Sequence, residues 1–245
     1  MQSLGGSINI ATMASRIRRN ERPANPPGPD GARVRDWVFD LDNTVYPASC
    51  GLFDQVDRRI VEFVQDFLDL DPGAARLVQR RYFQEHGSCL RGLMVNHALD
   101  PARFLDYVHD IDMSPLSPDP ELGAALGRLP GRKIIFTNGS TRHAENVLGH
   151  LGLARHFAEI HDIAAADYLP KPVPRSYRVL VEHRGVDPAA AVYIEDIARN
   201  LEPAAALGMT TAWIPPADRD TKARPPRYVH HVVENLARWL ASLIG

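Results

Sequence analysis

From Arg132 onward, short apolar runs of strand length alternate with helical patterns, and this alternation limits the fold more than any other feature of the 245-residue chain. Lys133–Thr137 reads as strand, Thr141–Leu151 as helix, Ala158–Ile163 as strand and Arg175–His183 as helix. Ala190–Glu195 (strand), Ala198–Leu207 (helix), Met209–Ile214 (strand) and a closing helix Val233–Leu243 follow. Such an order implies a parallel sheet covered by helices on both faces. One more apolar run, Val34–Asp40, comes first. After it the period changes: Phe53, Val56, Ile60, Phe63, Val64 and Phe67 fall at three- and four-residue steps, a single helical stripe. Further helical stretches are expected around Ala74–Gln84, Leu90–Ala98, Pro101–Val108 and Pro120–Leu129. Pro101 and Pro120 each follow an Asp, the pairing of a helix cap with a first-turn proline. The reading is an α/β chain: a Rossmann-like core over 34–48 and 116–245, with a helical domain over 49–115 inserted after its first strand.

Residues 1–33 stand apart. Gly5, Gly6, Pro23, Pro26, Pro27, Pro29 and Gly31 interrupt any period, so this segment reads as a disordered tail. Composition then excludes several classes of function. A net charge of −2 gives no basic surface for a nucleic-acid backbone. No uncharged apolar run approaches the roughly 18 residues of a membrane span. Cys50 and Cys89 are the only cysteines, too few for a secreted disulfide framework, so a reducing cytoplasm is the expected setting.

In open parallel sheets, ligands bind beyond the carboxyl ends of the strands. The polar clusters of this chain fall there. The first strand runs into Asp40-Leu41-Asp42-Asn43-Thr44, and the second into Thr137-Asn138-Gly139-Ser140. Lys171 lies in a loop between Pro170 and Pro172, and the strand at Val192–Ile194 ends in Glu195-Asp196. If those strands are neighbours, Asp40, Asp42, Glu195 and Asp196 converge, and four carboxylates in one crevice repel unless a cation sits among them. Oxygen donors of this kind suit Mg²⁺. Together with the Lys171 ammonium and the Thr137 hydroxyl, the set matches a phosphate dianion.

Lysine occurs only at 133, 171 and 222, arginine supplying every other basic residue. A lone lysine between prolines in so arginine-rich a chain looks chosen for a compact point charge. Asp40 and Asp42 can divide the labour. One carboxylate can attack phosphorus, and the other can protonate the leaving oxygen and then activate water. Taken alone, Asp-x-Asp is more often a turn or a helix cap.

In order and spacing, these residues resemble the haloacid dehalogenase-type (HAD) hydrolase superfamily. Its four motifs correspond to Val38-Phe39-Asp40-Leu41-Asp42-Asn43-Thr44, Ile135-Phe136-Thr137-Asn138, Lys171 and Glu195-Asp196. The resemblance implies that Asp40 is the nucleophile and Asp42 the general acid/base. It implies Mg²⁺ on the Asp40 carboxylate, the Asp42 backbone carbonyl and Asp196, with Glu195 behind the metal or an additional contact to it. Thr137, Asn138 and Lys171 would hold the phosphoryl group, and the helical insert would be a cap over small phosphorylated substrates. Ile197 departs from the pattern, since many relatives carry Ser there.

Within the superfamily the chain is similar to pyrimidine 5′-nucleotidases. The likeness rests on Tyr82-Phe83-Gln84-Glu85-His86-Gly87 with Leu90-Arg91-Gly92-Leu93, on His143-Ala144 after Thr137-Asn138, and on Asp42-Asn43-Thr44-Val45-Tyr46. It implies a Mg²⁺-dependent phosphomonoesterase for UMP and CMP. The alternative is a phosphatase of another small metabolite, phosphoglycolate or a sugar phosphate. Arg91, Tyr82 and His86 are the expected substrate contacts from the cap, with Phe53, Asn96 and His97 as further candidates. Phe53 and Tyr82 could equally be core residues of the cap. His230-His231 is read as structural, because adjacent strand residues face opposite ways.

Overall fold

The computed structural model describes residues 31–218 and 224–244, so the tail expected over 1–33 lies almost wholly outside the described residues. Six parallel strands form one sheet: β1 (Asp36–Phe39), β2 (Arg132–Phe136), β3 (Glu159–His161), β4 (Ala191–Glu195), β5 (Thr210–Trp213) and β6 (His231–Val232). Their order is β3-β2-β1-β4-β5-β6, so the sheet reverses direction of growth at β1. Phe39 lies opposite Ile135 on one side and Ile194 on the other, so the segments leaving β1, β2 and β4 emerge together. The sheet is buried on both faces, as a parallel sheet must be. Trp37 and Phe39 point into a core shared with Ile135, Ile194 and Leu240, while Val38 points into another with Ile134, Phe136, Tyr177 and Tyr193.

Between β1 and β2 come α1 (Leu52–Leu68), α2 (Pro72–His86), α3 (Cys89–His97), α4 (Pro101–Val108) and α5 (Pro120–Arg128). Three of these begin alike. The side chains of Asp71, Asp100 and Asp119 accept hydrogen bonds from first-turn backbone N–H groups, and each is followed by Pro at the first helical position. Such a cap is worth about 1 kcal/mol. The sequence signature at Asp100 and Asp119 is thereby confirmed, and Asp71 starts α2 two residues earlier than expected. Helices α1 to α4 enclose a core of their own around Val56, Phe63, Val64, Leu93 and Phe104. The α1 stripe is confirmed except at Phe53, which is exposed.

Gly92 sets how closely α2 and α3 approach. A Cβ there would lie 2.3 Å from Cγ of Tyr82, so the Tyr82 ring packs directly on the α3 backbone. The chain passes between sheet and insert twice, and one side chain ties the two passages together. The Gln55 amide donates to the Asp112 carbonyl (2.9 Å) and accepts from the Asp112 N–H (3.1 Å).

The remaining helices are α6 (Thr141–His150), α7 (Pro174–Arg184), α8 (Leu201–Ala206) and α9 (Leu236–Ser242). Two expectations need correction. The helix expected from Ala198 begins as a 3-10 turn over Ala198–Asn200. The closing helix starts at Leu236, not Val233, because His231–Val232 is recruited as a sixth strand beside β5. His231 lies in that strand, and the His230 ring accepts from the Thr211 N–H at 2.9 Å. No helix among the described residues is long and apolar enough to cross a membrane.

Candidate active site

Asp40 directly follows β1, and its N–H continues the ladder to the Ile194 carbonyl (2.9 Å). Its carboxylate is buried against Lys171, whose Nζ donates to Asp40 Oδ1 (2.5 Å), Glu195 Oε2 (2.8 Å) and the Phe136 carbonyl (3.0 Å). That one ammonium therefore joins the carboxyl ends of β1, β2 and β4. Thr44 Oγ1 donates to Asp40 Oδ2 at 3.3 Å. Glu195 is fully buried, and it also accepts from the Tyr193 hydroxyl (2.5 Å) and the Ile197 N–H (3.2 Å). At Ile197 it is the backbone that serves the site, while the side chain is exposed.

Asp40, Glu195 and Asp196 each bring one carboxylate oxygen within 4.8 Å of the others. A single lysine cannot balance two buried carboxylates and a half-buried third, and the imbalance appears in their proton affinities. Burial and the neighbouring Glu195 push Asp40 up to about 7 although Lys171 opposes them. Burial, then Asp40 and Glu195, push Asp196 up to about 10. Against its own burial, Lys171 holds Glu195 below the usual carboxylate range, and the two carboxylates hold Lys171 above the usual lysine range. The surplus of acidic groups over cations thus shows at Asp40 and Asp196, which hold protons more tightly than ordinary carboxylates. An all-oxygen donor set with that surplus fits a hard divalent cation.

Asp42 corrects one expectation. Four carboxylates were expected to converge, but the Asp42 side chain is engaged elsewhere. Its Oδ1 accepts from the Tyr46 hydroxyl (2.6 Å) and is bonded to His143 Nε2 (2.8 Å). Asn43 takes up the left-handed conformation (φ 58°), which Asn tolerates better than most residues, and the chain turns at that point. Burial raises the proton affinity of Asp42, yet the His143 and Tyr46 contacts outweigh it and bring the group to about 2. His143 is fully buried in the first turn of α6, where Ser140 caps the helix by accepting from the His143 N–H (3.3 Å). The His109 ring stacks on it with centroids 4.3 Å apart and planes 11° from parallel.

Thr137 is buried with its Oγ1 accepting from the Gly139 N–H (2.9 Å), so the hydroxyl proton is the one it can offer a ligand. Asn138 Oδ1 accepts from the Lys171 N–H (2.8 Å) and so joins the second motif to the lysine loop. Sequence reasoning reached His143 and Tyr46 only as parts of likeness segments and Ser140 only within the polar cluster after the second strand, and it missed His109. A signal did exist: a Ser three residues before His143 marks a helix start aimed at the crevice.

A cavity of about 440 Å³ lies between the insert and the sheet. Asp42, Asn138 and Gly139 line its sheet end, Phe53, Phe83 and Phe104 are among its apolar walls, and Arg76, Gln79 and Arg80 are among its polar groups. Arg76 and Gln79 are already interlocked with Asp57. Cys89 also lines it, as a thiol that burial pushes up to about 12, so it stays neutral. Three expected cap contacts do not border this space. Tyr82 is buried against Gly92 with its hydroxyl 2.8 Å from His97 Nε2, and His86 packs on Tyr82 and Asn96. Arg91 belongs to the first turn of α3, its N–H bonded to the capping Ser88. Packing between α2 and α3 takes up the Tyr82 ring. The Arg199 guanidinium, from the sheet side, covers the ring of the cavity-lining Phe83 at 4.3 Å.

Comparison with known proteins agrees with this arrangement. Over 219 residues the chain is 28% identical to Phosphate metabolism protein 8 of Saccharomyces cerevisiae, which covers 82% of this chain and 67% of the yeast protein. It is 29% identical over 187 residues to the Phosphoglycolate phosphatase of Rhodospirillum rubrum, covering 70% of this chain and 76% of the bacterial protein. The fold is shared with an HAD phosphatase from Thermococcus onnurineus, at a TM-score of 0.58 and 17% identity over 86% of this chain and 98% of that one. It is also shared with the L-2-haloacid dehalogenase of Xanthobacter autotrophicus, at a TM-score of 0.53 and 21% identity over 86% and 97% of the two chains. The family model that describes haloacid dehalogenase-like hydrolases matches residues 37–208, most of the chain. With that match, and with its acidic motifs gathered at the ends of β1 and β4, the chain belongs to the haloacid dehalogenase-like hydrolases.

Proposed function

We propose that the protein is a Mg²⁺-dependent phosphomonoesterase that works through an aspartyl phosphate on Asp40. The observation that carries the reading is the convergence of Asp40, Lys171 and Asp196 in one crevice, with Asp42 held separately two residues along. Asp40, Asp196 and the Asp42 backbone carbonyl would hold the ion, with Glu195 behind them. Bound there, Mg²⁺ would offset the carboxylate charge and draw electron density from the phosphoryl oxygens. Lys171, Thr137 and Asn138 orient the phosphoryl group.

In the first step an Asp40 oxygen bonds to phosphorus, the ester P–O bond breaks, and the leaving oxygen takes a proton from Asp42. In the second, Asp42 takes a proton from water, the water oxygen bonds to phosphorus, and the bond to Asp40 breaks. Asp42 rests as a carboxylate, the form the second step needs. A phosphoryl dianion beside it raises its proton affinity, as like charges do, toward the form the first step needs.

For substrate, the reading is a pyrimidine nucleoside 5′-monophosphate, UMP or CMP, with the insert acting as a cap over 49–115. The likeness of the cap segments supports it. So does a cavity whose volume falls within the range of small-molecule sites and whose aromatic walls suit a planar base. Phosphoglycolate or a sugar phosphate is the alternative, and the name of the Rhodospirillum rubrum relative favours it. The two free cysteines suit a cytoplasmic enzyme.

The test is turnover of UMP and CMP against purine nucleotides, phosphoglycolate and sugar phosphates, with and without Mg²⁺. Pyrimidine nucleotides are expected to lead, and only with metal. Preference for phosphoglycolate or a sugar phosphate would replace the substrate and keep the chemistry. Full activity under chelation would overturn the chemistry itself.

A further inference from the structure

We propose that His109 is a positioning residue for Asp42, acting through the ring of His143, so that proton delivery to the leaving group depends on the seating of the helical insert. The proposal rests on the phosphatase reading above. Its starting point is where His109 sits. It is the C-cap of α4, the last residue of the inserted helices before the chain returns toward the sheet, and it lines the cavity together with Asp42.

Hydrogen bonding fixes both rings. Ser140 Oγ accepts from the His143 N–H, so its own proton is available to His109 Nδ1, 3.0 Å away. His143 Nδ1 is buried with no hydrogen-bond partner, and a proton there would be stranded. His143 therefore carries its proton on Nε2 and donates it to Asp42 Oδ1. His143 is fully buried, and that hydrogen bond and the groups packed around it hold the ring. The parallel face of His109, 4.3 Å away, sets the ring plane and hence the direction of the Nε2–H. The Tyr46 hydroxyl reaches the same Oδ1, so Oδ2 is the oxygen through which Asp42 meets the cavity. A shift of the α4 end would remove the stacking face and release the acid from this orientation.

The test uses the full chain with Mg²⁺ and two esters: 4-nitrophenyl phosphate, whose leaving group needs no proton, and the best alkyl phosphate of the panel above. The readout is kcat/KM, which reports phosphoenzyme formation. For His109→Ala the alkyl ester is expected to lose about tenfold or more and the aryl ester less than about twofold, because only the former needs the acid. His109→Phe keeps a stacking face and is expected to recover most of the alkyl activity. Thermal melts of both variants close to that of the wild type would separate this effect from unfolding. Equal losses on the two esters, unchanged alkyl activity in His109→Ala, or a Phe variant as impaired as the Ala variant would overturn the proposal. Absence of turnover of either ester by the wild type would instead overturn the phosphatase reading on which it rests.

Discussion

At the scale of single residues, the site is organised by what neutralises what. Lys171 is committed to Asp40 and Glu195, whereas Asp42 is committed to His143 and Tyr46. The two aspartates are only two positions apart, yet their proton affinities move in opposite directions. The proposed reaction needs both to move back: a divalent cation at Asp40 would lower its proton affinity, and a phosphoryl dianion beside Asp42 would raise that of Asp42. Asp40→Asn is expected to abolish the phosphoenzyme, measured by acid-quenched incorporation of label from substrate. Asp42→Asn is expected to lower kcat by about two to four orders of magnitude while leaving Mg²⁺ binding largely intact. Normal activity in either variant would mean the roles are wrongly assigned. The sequence already carried Asp40, Thr137, Lys171 and Asp196, since each falls at a strand end or in an adjoining loop. His109 was not legible there. Its value comes from a ring stack between residues 34 positions apart, which no local pattern encodes.

At the scale of elements, the segment Leu90-Arg91-Gly92-Leu93 changes its meaning. Likeness made it a candidate for substrate contact through Arg91, but the structure uses it to pack α3 on α2. Gly92→Ala forces a methyl into the Tyr82 ring, and overpacking of this sort costs about 1–3 kcal/mol. A lower melting temperature is therefore expected for that variant, with weaker loss of activity than in Asp40→Asn. An unchanged melting temperature would show that Tyr82 can move aside. Helix existence was legible wherever an Asp-Pro start or an apolar stripe marked it. Strand β6 was not, because two residues carry no period and pairing with β5 alone defines it.

The whole molecule brings in linkage to ions and protons. Mg²⁺ binding at Asp40 and Asp196 should raise the melting temperature, adding about 1.4 kcal/mol of stability at tenfold its Kd. Asp196→Asn should cancel that increment, and a shift that survives the substitution would place the ion elsewhere. His161 supplies a separate proton linkage. It is fully buried with neither ring nitrogen hydrogen-bonded, and burial, helped by Arg184, lowers it from 6.5 to about 4. Between those values the unfolded chain binds the proton and the folded chain does not, so stability is lost as pH falls from 6.5 to about 4. His161→Leu should flatten that portion of the stability curve. Measuring the difference between wild type and variant in saturating Mg²⁺ cancels the carboxylates, and identical slopes would contradict the assignment.

The double hydrogen bond between Gln55 and Asp112 bears on how such an enzyme opens. Two separate linkers would let the inserted helices tilt, twist and slide over the sheet. Joined by one amide, the first turn of α1 and the return passage are tied to each other, so a displacement of one crossing is passed to the other.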